Sequence, residues 1–264
     1  MTLEMLRRVN PLNVLGGILI AAVIAGVGAL VVYAESSRPE PKDPETLCPI
    51  DRRTPHTAVV VDRTDALTTR QAVWLVREMR AIKDRLDVGE RLSVYLIDGR
   101  TFDDPQPVFS VCRPEDGSNA SVLTKNPRRL KATFEKRFAE PLEALADSLR
   151  QPVEAPSTPI FETVRGIVER PEFAKAVGHR RLIVISDLLV NTAGYSHYRS
   201  APDFERFRKT TYARQVLTDL SGIELRFVYL SNPTAARYQT EKHLQFWQRW
   251  AAEMGGHVVQ VDRL

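Results

Sequence analysis

The sequence predicts a doubly wound α/β domain on a mainly parallel sheet with one antiparallel edge strand, preceded by one transmembrane helix. Three observations predict it. From Thr57 onward, short apolar runs alternate with amphipathic stretches, the pattern of a parallel sheet covered on both faces. Two of the runs, 91–97 and 107–112, follow each other across a short turn and so pair as a hairpin. From Val9 to Ala34 no residue is charged, which is long enough as a helix to cross a hydrocarbon core of about 30 Å.

In chain order, residues 1–8 carry Arg7 and Arg8 and read as a cytoplasmic tail, and 9–34 as the transmembrane helix. Positive charge ahead of the span keeps the N-terminus inside and exports the rest, to a periplasmic or extracellular location. Val32-Tyr33-Ala34 resembles a small-residue cleavage site, but an apolar core of about 20 residues exceeds the 7–15 of a cleaved signal and favours a signal anchor. Residues 35–56, rich in proline and charge, read as a linker.

The domain, 57–264, opens on the buried strand 57–62. Residues 69–86 place Ala72, Val73, Val76, Met79 and Ile82 on one helical face. After the paired strands, Asn126-Pro127 starts a long helix to about Leu149, and 158–168 forms another. Residues 181–189 are the second fully apolar strand. A helix over 203–220, a strand over 223–230, a helix over 241–254 and a strand over 257–261 complete the alternation.

Composition narrows the function. The net charge is +4, and the basic runs 128–137 and 199–214 are interleaved at helical spacing, so they read as solvated helix faces and not as a nucleic-acid surface. His56, His179, His197, His243 and His257 offer no i, i+4 zinc pair. No glycine-rich phosphate loop follows the first strand. Asp62 and Asp65 are one residue too far apart for a phosphotransferase Asp-x-Asp pair. No nucleophile–base set is visible, and the chain does not read as an enzyme. Cys48 and Cys112 are the two cysteines; an oxidising compartment favours a disulfide between them if the fold brings them together.

Two carboxylates end apolar strands: Asp62 closes Val59-Val60-Val61 and Asp187 closes Leu182-Ile183-Val184-Ile185-Ser186. Open α/β sheets bind ligands just beyond the carboxyl ends of their strands. With Thr64 beside the first acid and Thr158 opening Thr158-Pro159-Ile160, the set is oxygen-rich and suits a hard divalent cation that keeps some of its waters. Each residue also has a plain structural role open to it. The acids could cap helices, Thr158 could cap a helix whose first residue is Pro159, and Thr64 could be a turn residue.

In this order the segments resemble a von Willebrand factor type A domain, whose metal-ion-dependent adhesion site reads Asp-x-Ser-x-Ser, then Thr, then Asp. The resemblance implies that Asp62, Thr64, Thr158 and Asp187 hold Mg²⁺ or Mn²⁺, and that a partner protein's acidic residue completes the shell. The second hydroxyl falls on Ala66 and the glycine that often follows the last Asp is Leu188, so the motif is degenerate. Beside it, residues 191–202 form a loop with Tyr195, His197, Tyr198 and Arg199, residue types that anchor protein contacts. Together with the anchoring run, the resemblance implies a membrane-anchored protein-binding module, an accessory or assembly factor. A structural protein with a vestigial site and a metal-dependent hydrolase are the alternatives.

Overall fold

In the computed structural model of the chain, the described residues are 11–36, 40–98, 104–120, 126–149, 151, 153 and 155–264. The expected cytoplasmic tail, with Val9 and Asn10 of the expected span, lies outside them. The chain forms two compact units, Met1–Pro41 and Lys42–Leu264.

The first unit contains α1 (Pro11–Ser36). Its 26 residues rise about 39 Å at 1.5 Å each, more than a hydrocarbon core needs. Within it, Val14–Tyr33 has a mean hydropathy of 2.6 with no residue buried. Leu15, Ile18, Leu19, Ile20, Val23 and Ile24 stand exposed around the helix, which therefore has no polar face to turn to water.

The second unit is built on six strands: β1 (His56–Asp62), β2 (Arg91–Ile97), β3 (Phe109–Cys112), β4 (Arg180–Ser186), β5 (Ile223–Tyr229) and β6 (His257–Arg263). They lie in the order β3-β2-β1-β4-β5-β6. All pairs are parallel except β2–β3. This is the doubly wound order with one antiparallel edge, and its topological switch point lies between β1 and β4. The helices are α2 (Thr69–Arg85), α3 (Pro127–Phe134), a π-helical turn (Glu135–Ala139) leading into α4 (Glu140–Ser148), α5 (Ile160–Glu169), and the short α6 (Pro171–Ala174), α7 (Phe204–Phe207) and α8 (Thr211–Gln215). The last is α9 (Glu241–Glu253).

Side-chain alternation along the strands builds two cores. Every residue of β1 is buried. Val59 and Val61 join Leu92, Val94, Ile183 and Ile185 beneath Leu75, Met79 and Ile82 of α2 and Leu142 and Ala146 of α4. Ala58 and Val60 join Leu182 and Val184 beneath Phe161 and Val164 of α5 and Trp247 and Trp250 of α9. In that second layer Phe161 stands 4.6 Å from Trp247, 5.1 Å from Phe207 and 5.2 Å from Trp250, centroid to centroid.

Two expectations are corrected. The helix expected over 203–220 is broken into α7 and α8, because Thr210 donates its hydroxyl to Phe207 O and accepts from Ala213 N. A threonine that satisfies the backbone locally in this way restarts the helix instead of continuing it. The linker expected over 35–56 folds onto the domain from Lys42. Cys112 N donates to Thr46 O (2.7 Å), Arg137 Nη2 donates to Pro44 O and Glu45 O (2.7 and 3.1 Å), and Cys48 is bonded to Cys112 (S–S 2.02 Å). Polar composition concealed this because staples, not apolar contacts, hold the segment.

Candidate functional site

The carboxyl ends of β1 and β4 bring Asp62, Thr64, Thr158 and Asp187 together. Asp62, the last residue of β1, is 6% exposed. Its Oδ1 accepts from Thr64 N (3.0 Å) and Thr64 Oγ1 (2.7 Å), and its Oδ2 accepts from Ser186 Oγ (2.6 Å). Thr158 Oγ1 donates to Thr64 Oγ1 (3.1 Å), so the hydroxyls form a relay directed at the Asp62 carboxylate. Asp187, also 6% exposed, accepts Leu189 N on Oδ1 (2.9 Å) and Asn232 Nδ2 on Oδ2 (2.8 Å).

Of the plain structural roles, the helix caps are not taken, while Thr64 does sit in a turn, its N–H closing on Asp62 Oδ1. Helix α5 begins after Pro159 with no side-chain cap, and the Thr158 hydroxyl turns to Thr64 instead. Thr68, not Thr64, caps α2 in a box with Gln71. Neither acid caps a helix; both accept backbone N–H groups two residues on, closing turns.

Two buried carboxylates here have no countercharge. Among the described residues neither Asp62 nor Asp187 forms an ion pair, and the nearest arginine in sequence, Arg63, donates to Gln151 O. Burial, then the neighbouring Asp62 charge, lifts the Asp187 carboxyl to about 7. Burial likewise lifts Asp62, against the hydrogen bonds from Ser186 and Thr64. Exposed Asp65 adds to the negative field on both.

Carboxylate and hydroxyl oxygens are the donor type that a hard cation takes. The row from Asp62 Oδ1 to Thr64 Oγ1 to Thr158 Oγ1 has spacings of 2.7 and 3.1 Å. Among the described residues no three His, Cys, Asp or Glu side chains converge on one point, so a cation here would depend on the hydroxyls for direct ligands. Ala66 supplies none.

Several residues that shape the site escaped the sequence. Ser186 accepts Leu188 N (2.8 Å) while donating to Asp62; its place next to Asp187 was the available signal. Leu188 has φ +58°, the left-handed region that leucine avoids, at the position where the resembled family often has glycine. Its carbonyl accepts Trp247 Nε1 (3.0 Å) and His243 Nε2 (3.1 Å), and Tyr229 donates its hydroxyl to His243 Nδ1 (2.7 Å). Gln239 latches the far side by donating to Asp187 O and Leu230 O (3.1 and 2.7 Å).

The loop after Asp187 corrects the expected partner-binding set. Tyr195 and His197 are 9% and 2% exposed. Tyr195 packs on Phe207 and Phe246, and His197 Nδ1 accepts Val190 N (3.1 Å). Their rings complete the aromatic core, so neither can meet a partner. Arg199 is exposed, although its guanidinium donates to Thr192 O and Ala193 O. Tyr198 is half-buried, and burial, then the field of Asp187, Asp65 and Asp62, raises its phenol. It packs edge-on against Tyr238 (4.9 Å), whose ring carries Arg237 at 4.7 Å.

The six-stranded, mostly parallel order with one antiparallel edge fits a von Willebrand factor type A-like fold. No protein-family model and no curated protein matches the chain. Among the solved structures similar at low level are two. One is an aerotolerance-related membrane protein from Bacteroides fragilis NCTC 9343 carrying multiple mutations to serine, with TM-score 0.38 and 12% identity over 80% of this chain and 91% of that one. The other is the VWA domain of SpRpn10, with TM-score 0.38 and 10% identity over 80% of this chain and 88% of that one. Likeness at this level says nothing of function.

Proposed function

We propose that the chain is a single-pass membrane protein whose exported type A-like domain binds a partner protein at the carboxyl ends of β1 and β4. A divalent cation held by Asp62, Thr64, Thr158 and Asp187 assists the contact, and the module serves as an accessory or assembly factor, not as an enzyme. The observation that carries this reading is the pair of buried carboxylates without a basic partner. Uncompensated buried charge is costly, and a cation on the adjoining hydroxyl row would neutralise it. Mg²⁺ or Mn²⁺ bound there would supply a positive centre for a partner's Glu or Asp. Tyr198, Tyr238 and Arg237 form the rim, residue types that anchor protein contacts.

Export is supported by the disulfide between Cys48 and Cys112, a bond that persists in oxidising compartments. Cross-linking the full chain in its native membranes, with and without chelator, tests the reading. A cross-linked partner that disappears with chelator and with Asp62→Ala, and weakens with Tyr198→Ala, is the expected result. A partner retained under all three conditions would leave the site vestigial.

A further inference from the structure

The outer face of α3 and the π-helical turn takes no part in the site described above. Arg128, Arg129, Lys131, Lys136 and Arg137 are all exposed, and α3 buries none of its residues. Leu130, Phe134 and Phe138 recur every four residues and mark the inward side. Phe138 is fully buried and its ring lies 5.7 Å from those of both Phe134 and Phe109. The bases occupy the remaining, outward arc.

Countercharge on this face is sparse. Glu135 and Glu140 are the acids within 127–140, against five bases, a net +3. Among the described residues Arg128, Arg129, Lys131 and Lys136 form no ion pair. On neighbouring α2, by contrast, Arg80 and Lys83 both meet Glu143, at 3.5 and 3.6 Å. The fifth base, Arg137, grips the entering chain through Pro44 O and Glu45 O. Pro44 follows Ser36, the end of α1, by eight residues, and eight extended residues reach at most about 29 Å. That limit is covalent and holds for any arrangement of the two units.

We propose that this face docks on an anionic lipid surface. A convex arc of long, solvated bases suits an extended plane of charge, with stems lying along the surface and heads in the lipid phosphates. A polybasic segment near a membrane is attracted by anionic headgroups within a Debye length, about 8–10 Å at physiological salt, and a tether of at most about 29 Å lets this one reach that range. The inference rests on the anchoring helix and not on the cation site, so each can fail alone.

The test places the full chain in nanodiscs of phosphatidylcholine, with or without phosphatidylglycerol, and follows amide hydrogen exchange along 127–140. Exchange there slows on the anionic discs and recovers in high salt. Lys131→Gln with Lys136→Gln removes most of the protection, at roughly fivefold in the docked-to-free ratio per base, while exchange in β1 stays unchanged and shows the variant folded. Equal exchange on both discs, or protection that survives the double variant, overturns the proposal. Protection on phosphatidylcholine discs produced by glycerol phosphate or polyglutamate overturns it too, because the face would then serve a soluble anion or an acidic protein.

Discussion

At Leu188 the backbone adopts φ +58°, which costs a leucine about 1–2 kcal/mol, directly after the carboxylate that matters most. Strain of this kind persists where the surroundings over-determine it. Here Trp247 and His243 hold the carbonyl and the side chain is fully buried. Glycine normally costs a folded chain more than alanine does; at this position the order should invert. Leu188→Gly should be more stable than Leu188→Ala by about 1 kcal/mol, measured by urea unfolding, although both lose the buried side chain. If alanine proves the better substitute, the strain assigned to this turn is wrong.

Asp187 carries a second prediction at the same scale. Its carboxyl is raised to about 7 by burial and by Asp62. A group that binds its proton more tightly when folded gains stability as pH falls from about 7 toward its unfolded value of 3.8 and loses it as pH rises through 7. In chelator, Asp187→Asn should therefore melt above the parent at pH 8, and the difference should shrink toward pH 5. A variant melting below the parent at both pH values would contradict the assigned repulsion.

Residue types alone could show the four oxygen-bearing side chains, because strand-terminal acids lie where open sheets bind ligands. They could not show that Tyr195 and His197 point inward. An aromatic residue in a loop reads the same whether it faces a partner or the core, and the deciding contact, with Phe246, lies about 50 residues away in sequence.

At the scale of elements, the start of β1 is held by a directed polar network. His56 Nδ1 faces the Glu172 carbonyl (3.1 Å) and so must donate, which leaves Nε2 to accept from Ser93 Oγ (2.8 Å). Ser110 and Arg91 continue the chain, Arg91 Nε donating to Ser110 Oγ (3.0 Å). The arrangement requires a neutral ring, and burial lowers His56 to about 4. Between pH 6.5 and 4 the unfolded chain then binds the proton that the folded one refuses, so stability falls as pH falls through that window. His56→Gln should lose less over the same range, by roughly 3 kcal/mol, in urea titrations at pH 7 and pH 4. Parallel losses would remove His56 from the account.

Elements were the most legible level. Continuous apolar runs marked β1 and β4, and the hairpin β2–β3 followed from the short connection. What stayed hidden was local: the break between α7 and α8 depends on one threonine's hydrogen bonds, and threonine occurs both within helices and at their starts.

For the whole molecule, the disulfide ties the segment after α1 to the edge strand β3 across a sequence separation of 64. In the chain-entropy treatment a loop of that length is worth about 4 kcal/mol. Reduction, or Cys48→Ser with Cys112→Ser, should lower unfolding stability by that order and free the segment from Lys42 to Pro49 to proteolysis. An unchanged digestion pattern would mean that the segment is held by its hydrogen bonds alone.

The central claim is a cation at the strand ends, and Mn²⁺ titration of the full chain in detergent, read by electron paramagnetic resonance, tests it most directly. The account predicts that the free-ion signal falls to a single saturable site, that Mg²⁺ restores it, and that Thr158→Val and Asp187→Asn abolish the binding. A free-ion signal undiminished at every ratio, or binding indifferent to both substitutions, would contradict it.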